Sequence, residues 1–370
     1  MVGGGTPDTT VKSYWGGDIQ WFTPSEIGKN KYVDFSLRTI TRDGLDNSSA
    51  KLLPLHTILL SSRATVGECS IASNECTTNQ GFQSLIAKQC NIDFLYYLIQ
   101  TKKKDLIRNA CGSTFLEISA NEIRKIKVAV PVQNEQEQIA KLLSLIDERI
   151  ATQNKIIEKY ESLIQAMCDT LIERETQQVA LSFSDFGQSY SGLSGKNAED
   201  FGDGYPFITY MNVYQNQIID STDVGLVKIK ETEQQSVVHY GDILFTLSSE
   251  TPEEVGMGAV YLGETYPLYL NSFCFGIHIT DEAKIYSPFL AYYVSSQSFR
   301  KAVYPLAQGS TRFNLQKSDF MKKKFSFPMI EKQRKIYSIL NTYSDKLIVE
   351  KQIIGLLCSQ KRYLLRQLFI

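Results

Sequence analysis

KIKVAVPVQNEQEQIAKLLSLIDERI, residues 125–150, and KKKFSFPMIEKQRKIYSILNTYSDKL, residues 322–347, share one arrangement of basic, apolar and proline positions. In each stretch a short basic and apolar run ends at a proline, Pro131 or Pro328, and a long segment with helical spacing follows. The two stretches lie 197 positions apart. Because self-similarity at a fixed offset indicates a duplicated unit, the sequence predicts two basic strands that each lead into a long helix.

The segments after the two prolines carry an apolar residue alternately every four and every three positions, which is the spacing of a coiled-coil seam. Each predicted helix runs for about 35 residues, or roughly 50 Å at 1.5 Å per residue. The seam positions of the first helix are Ile139, Leu143, Ile146, Ile150, Gln153, Ile157, Tyr160, Ile164, Met167 and Leu171. Those of the second are Ile336, Leu340, Tyr343, Leu347, Glu350, Ile354, Leu357, Lys361, Leu364 and Leu368. The shared register favours pairing of the two helices with each other over two separate amphipathic helices.

Two equivalent helices related by a pseudo-two-fold axis must run antiparallel, so equivalent positions meet only near their midpoints. Gln153 and Glu350 lie near those midpoints and are polar in an otherwise apolar part of the seam. We expect them to face each other and to fix the register, as a buried polar residue can in a coiled coil. A variant with leucine at both positions is expected to lose the single helix register and the single assembly state.

The segments outside the helices also repeat. ACGST, residues 110–114, corresponds to AQGST, residues 307–311, and FLYY, residues 94–97, corresponds to FLAY, residues 289–292. Short β-rich runs alternate there with turns and short helices, as in the strand at 243–247 after the turn Tyr240-Gly241-Asp242 and the helices at 93–99 and 287–294. The predicted fold class is therefore α+β, with a pseudo-two-fold internal repeat of a globular domain and a long helix. The predicted boundaries are 1–133, 134–177, 178–330 and 331–370.

Composition limits the class of protein. Of 370 residues, 43% are hydrophobic and 11% aromatic, which is enough to bury real cores. The longest apolar runs are far shorter than a membrane span, and the opening MVGGG lacks signal-peptide character, so we expect a soluble cytoplasmic protein. Seven scattered cysteines and three histidines make structural zinc and a disulfide framework improbable. The net charge of −1 argues against nonspecific coating of DNA.

Motifs for catalysis are missing from the sequence. There is no Pro-Pro for a methyltransferase target-base motif and no Gly-Lys-Ser/Thr for ATP. The run Gly3-Gly4-Gly5 follows no strand, so we interpret it as a turn or a flexible end rather than a phosphate-binding loop. His56, His239 and His278 are far apart along the chain, which argues against a catalytic triad or a metal site. The chain is therefore predicted to be a binder, with no catalytic residue and no metal ligand.

Basic, aromatic and amide residues cluster in segments that suit a nucleic-acid surface, although a single lysine run is as often a solvated helix face. Basic residues recur just before each Gly-Ser-Thr, which favours the nucleic-acid interpretation. Lysines there would hold phosphates while nearby side chains contact base edges in the major groove. The candidate DNA-binding residues are Lys12, Tyr14, Trp15, Arg63, Asn79, Gln80, Lys102, Lys103, Lys104, Arg108, Ser113, Thr114, Lys196, Asn212, Asn271, Arg300, Lys301, Ser310, Thr311 and Arg312.

Several motifs resemble a known family across nearly the whole chain. They are GGTP at 4–7, YWGGDIQW at 14–21, TNQGF at 78–82, GST at 112–114, and VP at 130–131 leading through EQEQIA at 135–140 to ID at 146–147. With the two α+β domains and two pairing helices, this pattern resembles the specificity subunits of type I restriction-modification systems.

The resemblance implies that each globular domain is a target-recognition domain for one half of a bipartite DNA site. The helices would set the gap between the half-sites and dock two methyltransferase subunits, to which restriction subunits add. The chain itself would need no cofactor, since S-adenosylmethionine, ATP and Mg²⁺ would be bound by the partner subunits. Double-stranded DNA and those subunits are the expected partners, and no membrane is expected.

The second copy departs from the family pattern. It keeps only Gln333 of the Glu-Gln pair and has Asn271-Ser272-Phe273 where the first copy has Asn79-Gln80-Gly81-Phe82. The differences between the copies imply an asymmetric recognition site. Before its glycine turn the second copy also carries VALSFSDF, residues 179–186, which the first lacks. We therefore expect that the sequence is truncated at its amino terminus by about one strand, or that its start codon is misplaced.

Three other functions stay open at this stage. The main alternative is a structural adaptor whose coiled coil joins two protein-binding domains, which the near-neutral charge favours. A second is the specificity subunit of a related restriction enzyme that combines methylation and cleavage in one polypeptide. The third, a methyltransferase with a diverged cofactor site, lacks support because neither of its motifs is present.

Overall fold

The structure is a computed structural model that describes residues 1–112, 115–264 and 266–369. The chain divides into two compact units, unit 1 with residues 1–154 and 352–370 and unit 2 with residues 155–351. Each unit therefore contains one part of each of two long helices, α5 and α10. The helices are α1 Arg42–Asp46, α2 Ile92–Thr101, α3 Lys103–Arg108, α4 Ala120–Lys125, α5 Gln133–Glu173, α6 Tyr210–Gln215, α7 Ser287–Tyr293, α8 Gln297–Val303, α9 Lys317–Lys322 and α10 Ile330–Leu368.

Unit 1 is built from short strands in small sheets. The strands are β1 Val2–Gly3, β2 Trp15–Phe22, β3 Tyr32–Val33, β4 Arg38–Ile40, β5 Ile58–Leu60, β6 Cys69–Ala72, β7 Cys76–Thr78 and β8 Gln83–Ser84. They form the sheets β1-β8, β4-β2-β7 and β3-β6-β5. Strands β5 and β6 are buried along their whole length because α2 packs against one face, and a second apolar cluster that includes Phe22 and Phe82 packs against Leu59 and Ala72.

Unit 2 repeats this plan with longer strands. The strands are β9 Gln178–Ser182, β10 Gly187–Ser191, β11 Phe201–Ile208, β12 Val224–Val227, β13 Ile243–Thr246, β14 Ser248–Ser249, β15 Gly258–Val260, β16 Tyr269–Leu270, β17 Cys274–Ile279, β18 Ala307–Gln308, β19 Phe313–Leu315 and β20 Lys324–Pro328. They form the sheets β10-β17-β13-β15, β12-β11-β16, β14-β19-β18 and β20-β9.

The internal repeat is visible in the strand pairing itself. In unit 1, β2 pairs antiparallel with β4 and parallel with β7, and in unit 2, β11 pairs antiparallel with β12 and parallel with β16. Both central strands carry a bulge at the same place, between Trp15 and Ile19 and between Phe201 and Tyr205. A bulge kept in both copies is a feature of the fold rather than a local accident. The predicted α+β internal repeat is confirmed.

One predicted strand is absent from unit 1. The segment 322–328 contains strand β20, which pairs with β9, as the repeat predicted. The matching segment of unit 1 leaves helix α4 at Lys125, and residues 126–132 have no regular structure and pair with no described strand. The prediction of a strand there was wrong, because a strand is held by the hydrogen bonds of a neighbour and none of the described strands supplies them.

A long helix follows each of the two basic segments, as predicted. Neither Pro nor Gly interrupts α5. Pro131 and Pro328 lie two residues before the starts of α5 and α10, outside the helix interiors, where a proline would break the backbone hydrogen bonds. In unit 1, Ile139 and Leu143 of α5 are buried in the α2 cluster, and Leu364 and Leu368 of α10 pack against the same cluster. Lys361 forms an ion pair of 2.5 Å with Asp147.

In unit 2 the two long helices also pack together. Lys351 of α10 contacts Glu161 of α5 at 2.7 Å, and Lys332 of α10 contacts Glu175, two residues beyond the end of α5, at 3.2 Å. Residue numbers therefore rise along α5 while they fall along α10. The two helices therefore pair antiparallel, as predicted. The buried seam positions are Ile139, Leu143, Ile146, Gln153, Ile164, Ile336 and Leu340. The other seam positions, which include Ile150, Ile157, Leu347, Glu350, Ile354 and Leu357, are half-buried. The facing of Gln153 and Glu350 stays a prediction.

A buried glutamine near the start of each long helix fastens that helix to its domain. Gln136 accepts the backbone N–H of Asn91 at 2.9 Å and donates to the carbonyl of Pro131 at 2.8 Å. Gln333, at the matching position, accepts the N–H of Tyr286 at 2.9 Å and donates to the carbonyl of Pro328 at 2.8 Å. Both side chains are almost fully buried, so each pair of bonds is made away from water.

Replacing Gln333 by leucine is expected to lower the free energy of unfolding by about 2–4 kcal/mol, because the buried groups it bonds lose their partner and each costs about 1–3 kcal/mol. Urea denaturation followed by circular dichroism measures the change. Gln234→Leu, at an exposed position of the same unit, is the matched control and is expected to stay within about 0.5 kcal/mol of the wild type. Equal stability of the two variants would contradict this role of Gln333.

None of the described helices is long and apolar enough to cross a membrane.

Candidate nucleic-acid interface

Each unit has a surface hollow at the same place in the repeated fold. Hollow 1, in unit 1, has a volume of about 250 Å³ and is lined by Pro24, Arg63, Ala64, Asn79, Gln80, Gly81 and Phe115. Hollow 2, in unit 2, has a volume of about 390 Å³ and is lined by Tyr210, Met211, Tyr214, Ser248, Ser249, Glu250, Glu254, Phe273 and Arg312. The offset between the two copies grows along the chain because their loops differ in length. Pro24 corresponds to Tyr210 at an offset of 186, Gly81 to Phe273 at 192, and Phe115 to Arg312 at 197. The two hollows are therefore equivalent surfaces with different side chains.

A glycine with positive φ lies three positions before one lining residue of each hollow. Gly112 has φ +129° and Gly309 has φ +132°. A Cβ at either position would lie 2.1 Å from a backbone oxygen, that of Phe115 or Arg312. Only glycine fits such a backbone. Ser113 and Thr114, which were predicted to contact DNA, lie outside the described residues.

Hollow 1 brings together three of the predicted residues. Arg63 lies 3.7 Å from Glu117, with its side chain 47% exposed, an ion pair of the weak, solvent-screened kind. Asn79 accepts the N–H of Gly81 at 2.9 Å, and Gln80 accepts the hydroxyl of Thr6. These bonds use the side-chain oxygens, and the amide NH₂ groups bond no other described residue. Hollow 1 thus presents hydrogen-bond donors to a ligand.

Hollow 2 has a different set of groups. Tyr210 and Tyr214 stack with ring centroids 5.9 Å apart, and Arg312 is exposed beside them. The Tyr214 hydroxyl donates to Glu254 at 2.6 Å, which raises the pKa of Tyr214 to about 12. Because Glu250 and Glu254 line the same hollow, it offers acceptors as well as the Arg312 donor. Of the predicted residues only Arg312 lies here.

A second group of predicted residues lies near the start of unit 1. Trp15 opens β2 and packs edge-on against Trp21 at 5.0 Å, while Lys12 is exposed and Tyr14 half-buried in the preceding turn. The guanidinium of Arg38, from the neighbouring β4, lies 3.6 Å over the Trp15 ring. Sequence reasoning missed Arg38, because only the pairing of β2 with β4 brings it to the ring.

The lysine run at the start of α3 is only partly available to a ligand. Lys103 forms an ion pair with Glu68, and Lys102 lines an apolar groove with Leu98 and Ile99. Lys104 and Arg108 are exposed, Arg108 with a weak pair to Asp105 at 3.5 Å. In unit 2, Lys301, Ser310 and Thr311 are also exposed. These exposed residues suit contacts to phosphates, which need charge more than fixed geometry.

Four predicted residues have structural roles in unit 2. Asn212 is buried and donates to the carbonyls of Asp220 and Asp223 at 2.8 and 2.6 Å. Arg300 donates to the carbonyls of Gly256, Glu253 and Val255, and burial lowers the pKa of its guanidinium. The Lys196 side chain is buried against Glu233. Asn271, beside hollow 2, accepts a hydrogen bond from the N–H of Phe273, just as Asn79 accepts one from the N–H of Gly81 in unit 1. Asn212, Arg300 and Lys196 therefore use their donors inside the fold.

Comparison with known protein families gives one match over most of the chain. The family described as the type I restriction modification DNA specificity domain matches residues 2–162 and again residues 185–357. The double match agrees with the internal repeat of the fold, and the two matched regions contain hollow 1 and hollow 2, respectively.

Curated relatives carry the same description. The specificity subunit of type I restriction enzyme MjaIX from Methanocaldococcus jannaschii is 40% identical over 170 residues, which are 43% of this chain and 39% of that protein. The specificity subunit of type I restriction enzyme EcoR124I/EcoR124II from Escherichia coli is 29% identical over 153 residues, 39% of this chain and 38% of that protein. The matches thus span about two fifths of the length of these relatives.

Solved structures share the fold across the full length. The S subunit of a type I restriction-modification system from M. genitalium has a TM-score of 0.55 at 17% identity and covers 99% of both chains. A chain from a structure that describes complex assembly and conformational transition of a type I R-M system has a TM-score of 0.64 at 13% identity, and covers 100% of this chain and 94% of that one. At these identities the likeness concerns the fold.

Proposed function

Because the chain belongs to the family of type I restriction modification DNA specificity domains, we propose that it is the non-catalytic, sequence-specific DNA-binding subunit of a type I restriction-modification complex. Each unit contacts one half of a bipartite DNA site in the major groove. The long helices set the gap between the half-sites and dock two methyltransferase subunits, to which restriction subunits add. The partner subunits bind S-adenosylmethionine, ATP and Mg²⁺.

One observation carries this proposal: the equivalent hollows of the two repeats are lined by different hydrogen-bonding side chains. Hollow 1 offers Arg63, Asn79 and Gln80, residue types whose donors match the major-groove edges of guanine and adenine. Hollow 2 offers Arg312 with Glu250 and Glu254, and a carboxylate accepts the amino group of cytosine. A duplicated scaffold with unlike hollows is suited to an asymmetric site of two different halves.

The surface proposed for base contacts consists of Arg63, Asn79, Gln80 and Arg312. Exposed cations nearby, namely Lys12, Arg38, Lys104, Arg108 and Lys301, would hold phosphates. The net charge of −1 fits this division, because local cations rather than overall charge would then hold the DNA. The buried Asn212, Arg300 and Lys196 are left out of the surface.

Replacing Arg63 by alanine is expected to weaken binding of the preferred site by about 1–3 kcal/mol, or about 5- to 150-fold, and to relax the base preference at one position of one half-site. Binding of the complex to a library of sites, followed by sequencing, measures both effects. Arg42→Ala removes the same charge from an exposed position outside hollow 1 and is the matched control.

A phosphate contact behaves differently, so Lys104→Ala provides a second comparison. Removing the Lys104 side chain is expected to weaken binding equally for all sequences. It should also reduce the slope of the logarithm of the binding constant against the logarithm of the salt concentration by about one. A uniform, salt-dependent loss in Arg63→Ala would place Arg63 among the phosphate contacts. An unchanged affinity and base preference in Arg63→Ala would contradict recognition through hollow 1.

A further inference from the structure

Two of the three histidines lie together beside a buried carboxylate of unit 2. His239 stands before the turn that leads into β13, and His278 lies in β17. Their ring centroids are 5.1 Å apart. One ring nitrogen from each and a carboxylate oxygen of Asp242 all lie within 4.8 Å of one another. The sequence did not reveal this cluster, because the pairing of β13 with β17 brings distant parts of the chain together.

The carboxylate of Asp242 is fully buried and is surrounded by donors. One oxygen lies 2.7 Å from Nδ1 of His278, and the other accepts the Tyr190 hydroxyl at 2.6 Å and the backbone N–H of His239 at 3.0 Å. Within residues 1–112, 115–264 and 266–369, the only basic side chain at ion-pair distance from Asp242 is His278. A buried carboxylate favours a cation beside it, and no lysine or arginine of the described chain supplies one.

We propose that His239, Asp242 and His278 bind one divalent transition-metal ion, with water in the remaining position. Two imidazole nitrogens and one carboxylate oxygen form a ligand set typical of Zn²⁺ and related ions. Both histidines are exposed, so an ion reaches the site from solvent. Tyr190, bonded to the second oxygen of Asp242, orients the carboxylate as groups behind a metal ligand commonly do.

The side chains must move to accept the ion. Metal–ligand distances of about 2.0–2.2 Å place neighbouring ligand atoms about 3.3–3.6 Å apart in a tetrahedral site. The gap of 2.7 Å between His278 Nδ1 and Asp242 must therefore widen by about 0.6–0.9 Å, and ligand atoms that lie up to 4.8 Å apart must approach each other by up to about 1.5 Å. The ion takes the place of the proton on Nδ1 of His278, and the imidazole then carries its one proton on Nε2, so it binds as a neutral ligand and no net proton is released.

The ion would join the turn before β13 to strand β17. His239 stands directly before the turn and Asp242 ends it, while His278 lies on strand β17, so one ion would hold three side chains from two segments. Binding to the folded state alone stabilises that state. Metal should therefore raise the unfolding temperature of unit 2.

The test uses the full chain, stripped with a chelator and then titrated with Zn²⁺ in a calorimeter and with Co²⁺ by visible absorption. We expect one ion per chain and cobalt d–d bands without the sulfur-to-metal band that a cysteine ligand would add. His239→Ala and His278→Ala should each weaken binding at least about tenfold and abolish the Zn²⁺-dependent rise in unfolding temperature.

The third histidine provides the matched control. His56 is exposed in unit 1 at φ +63°, a backbone conformation that asparagine tolerates, so His56→Asn should leave binding unchanged. Circular dichroism of each variant checks that it is folded. Absence of saturable binding of one ion by the wild type would overturn the proposal. So would binding unaltered by His239→Ala or His278→Ala in folded protein, or a sulfur-to-cobalt band that shows a cysteine site instead.

Discussion

Replacing Phe183 by alanine is expected to destabilise unit 2 by about 3–5 kcal/mol, the usual cost of removing a buried phenylalanine ring. Phe183 follows β9, is 0% exposed, and lies at the centre of the aromatic core of unit 2. Its ring centroid is 5.0–6.3 Å from those of Phe186, Phe245, Phe299, Phe320, Phe325 and Phe327. Such a rigid set of rings collapses little around a cavity, so the cost should fall in the upper part of the range.

Two optical signals measure this effect. Both tryptophans, Trp15 and Trp21, belong to unit 1, so tryptophan fluorescence follows unit 1 and far-ultraviolet circular dichroism follows both units. In urea, Phe183→Ala should shift the dichroism transition to lower denaturant more than the fluorescence transition. Phe35→Ala, at a position 81% exposed, is the control and should change stability by less than about 0.5 kcal/mol. A loss below about 1 kcal/mol for Phe183→Ala would contradict a packed core around this ring.

The double variant Arg63→Ala with Arg312→Ala is expected to lose about 2–6 kcal/mol of specific binding, or about 30-fold to 10⁴-fold. Each arginine lies in the hollow of a different unit, and the effects of substitutions at sites that share no partners add. The single variants should each relax one half-site, Arg63→Ala in one half and Arg312→Ala in the other. Competition binding with sites mutated in either half separates the two losses.

The matched control for the double variant removes two charges away from the hollows. Arg42 is exposed in unit 1 and Lys230 is exposed in unit 2, so Arg42→Ala with Lys230→Ala keeps the net charge of the test variant. Binding of the control should stay within a few-fold of the wild type, as for surface changes outside a contact. If both arginine variants relaxed the same half-site, the assignment of one half to each unit would be wrong.

The long helices and the repeat could be predicted because their signals are periodic and local. Prolines at 131 and 328 mark the starts of α5 and α10, and a seam at alternating four- and three-residue spacing extends over many turns. The offset of 197 also identified Gln333 as the equivalent of Gln136. Only the structure shows that each glutamine bonds a backbone carbonyl and a backbone N–H. Local spacing is enough for such elements because each residue's environment repeats along the helix.

The candidate sites were harder to predict because they depend on contacts between distant segments. Arg63 and Gln80 were found as residue types, but their meeting in hollow 1 follows from the folding of several short strands. Arg300 was predicted on charge alone, and its guanidinium instead holds three carbonyls. Composition indicates which side chains can bind DNA, and only the fold decides which of them face outward.

The most direct test of the central claim is the methylation pattern made by the methyltransferase encoded beside this chain. The enzyme is purified with and without the chain, and its DNA product is sequenced at single-molecule level. We expect a complex that methylates one split motif of two unlike half-sites with a fixed gap, and no methylation without the chain. A methyltransferase that forms no complex with the chain, or that methylates the same sites in its absence, would contradict the claim.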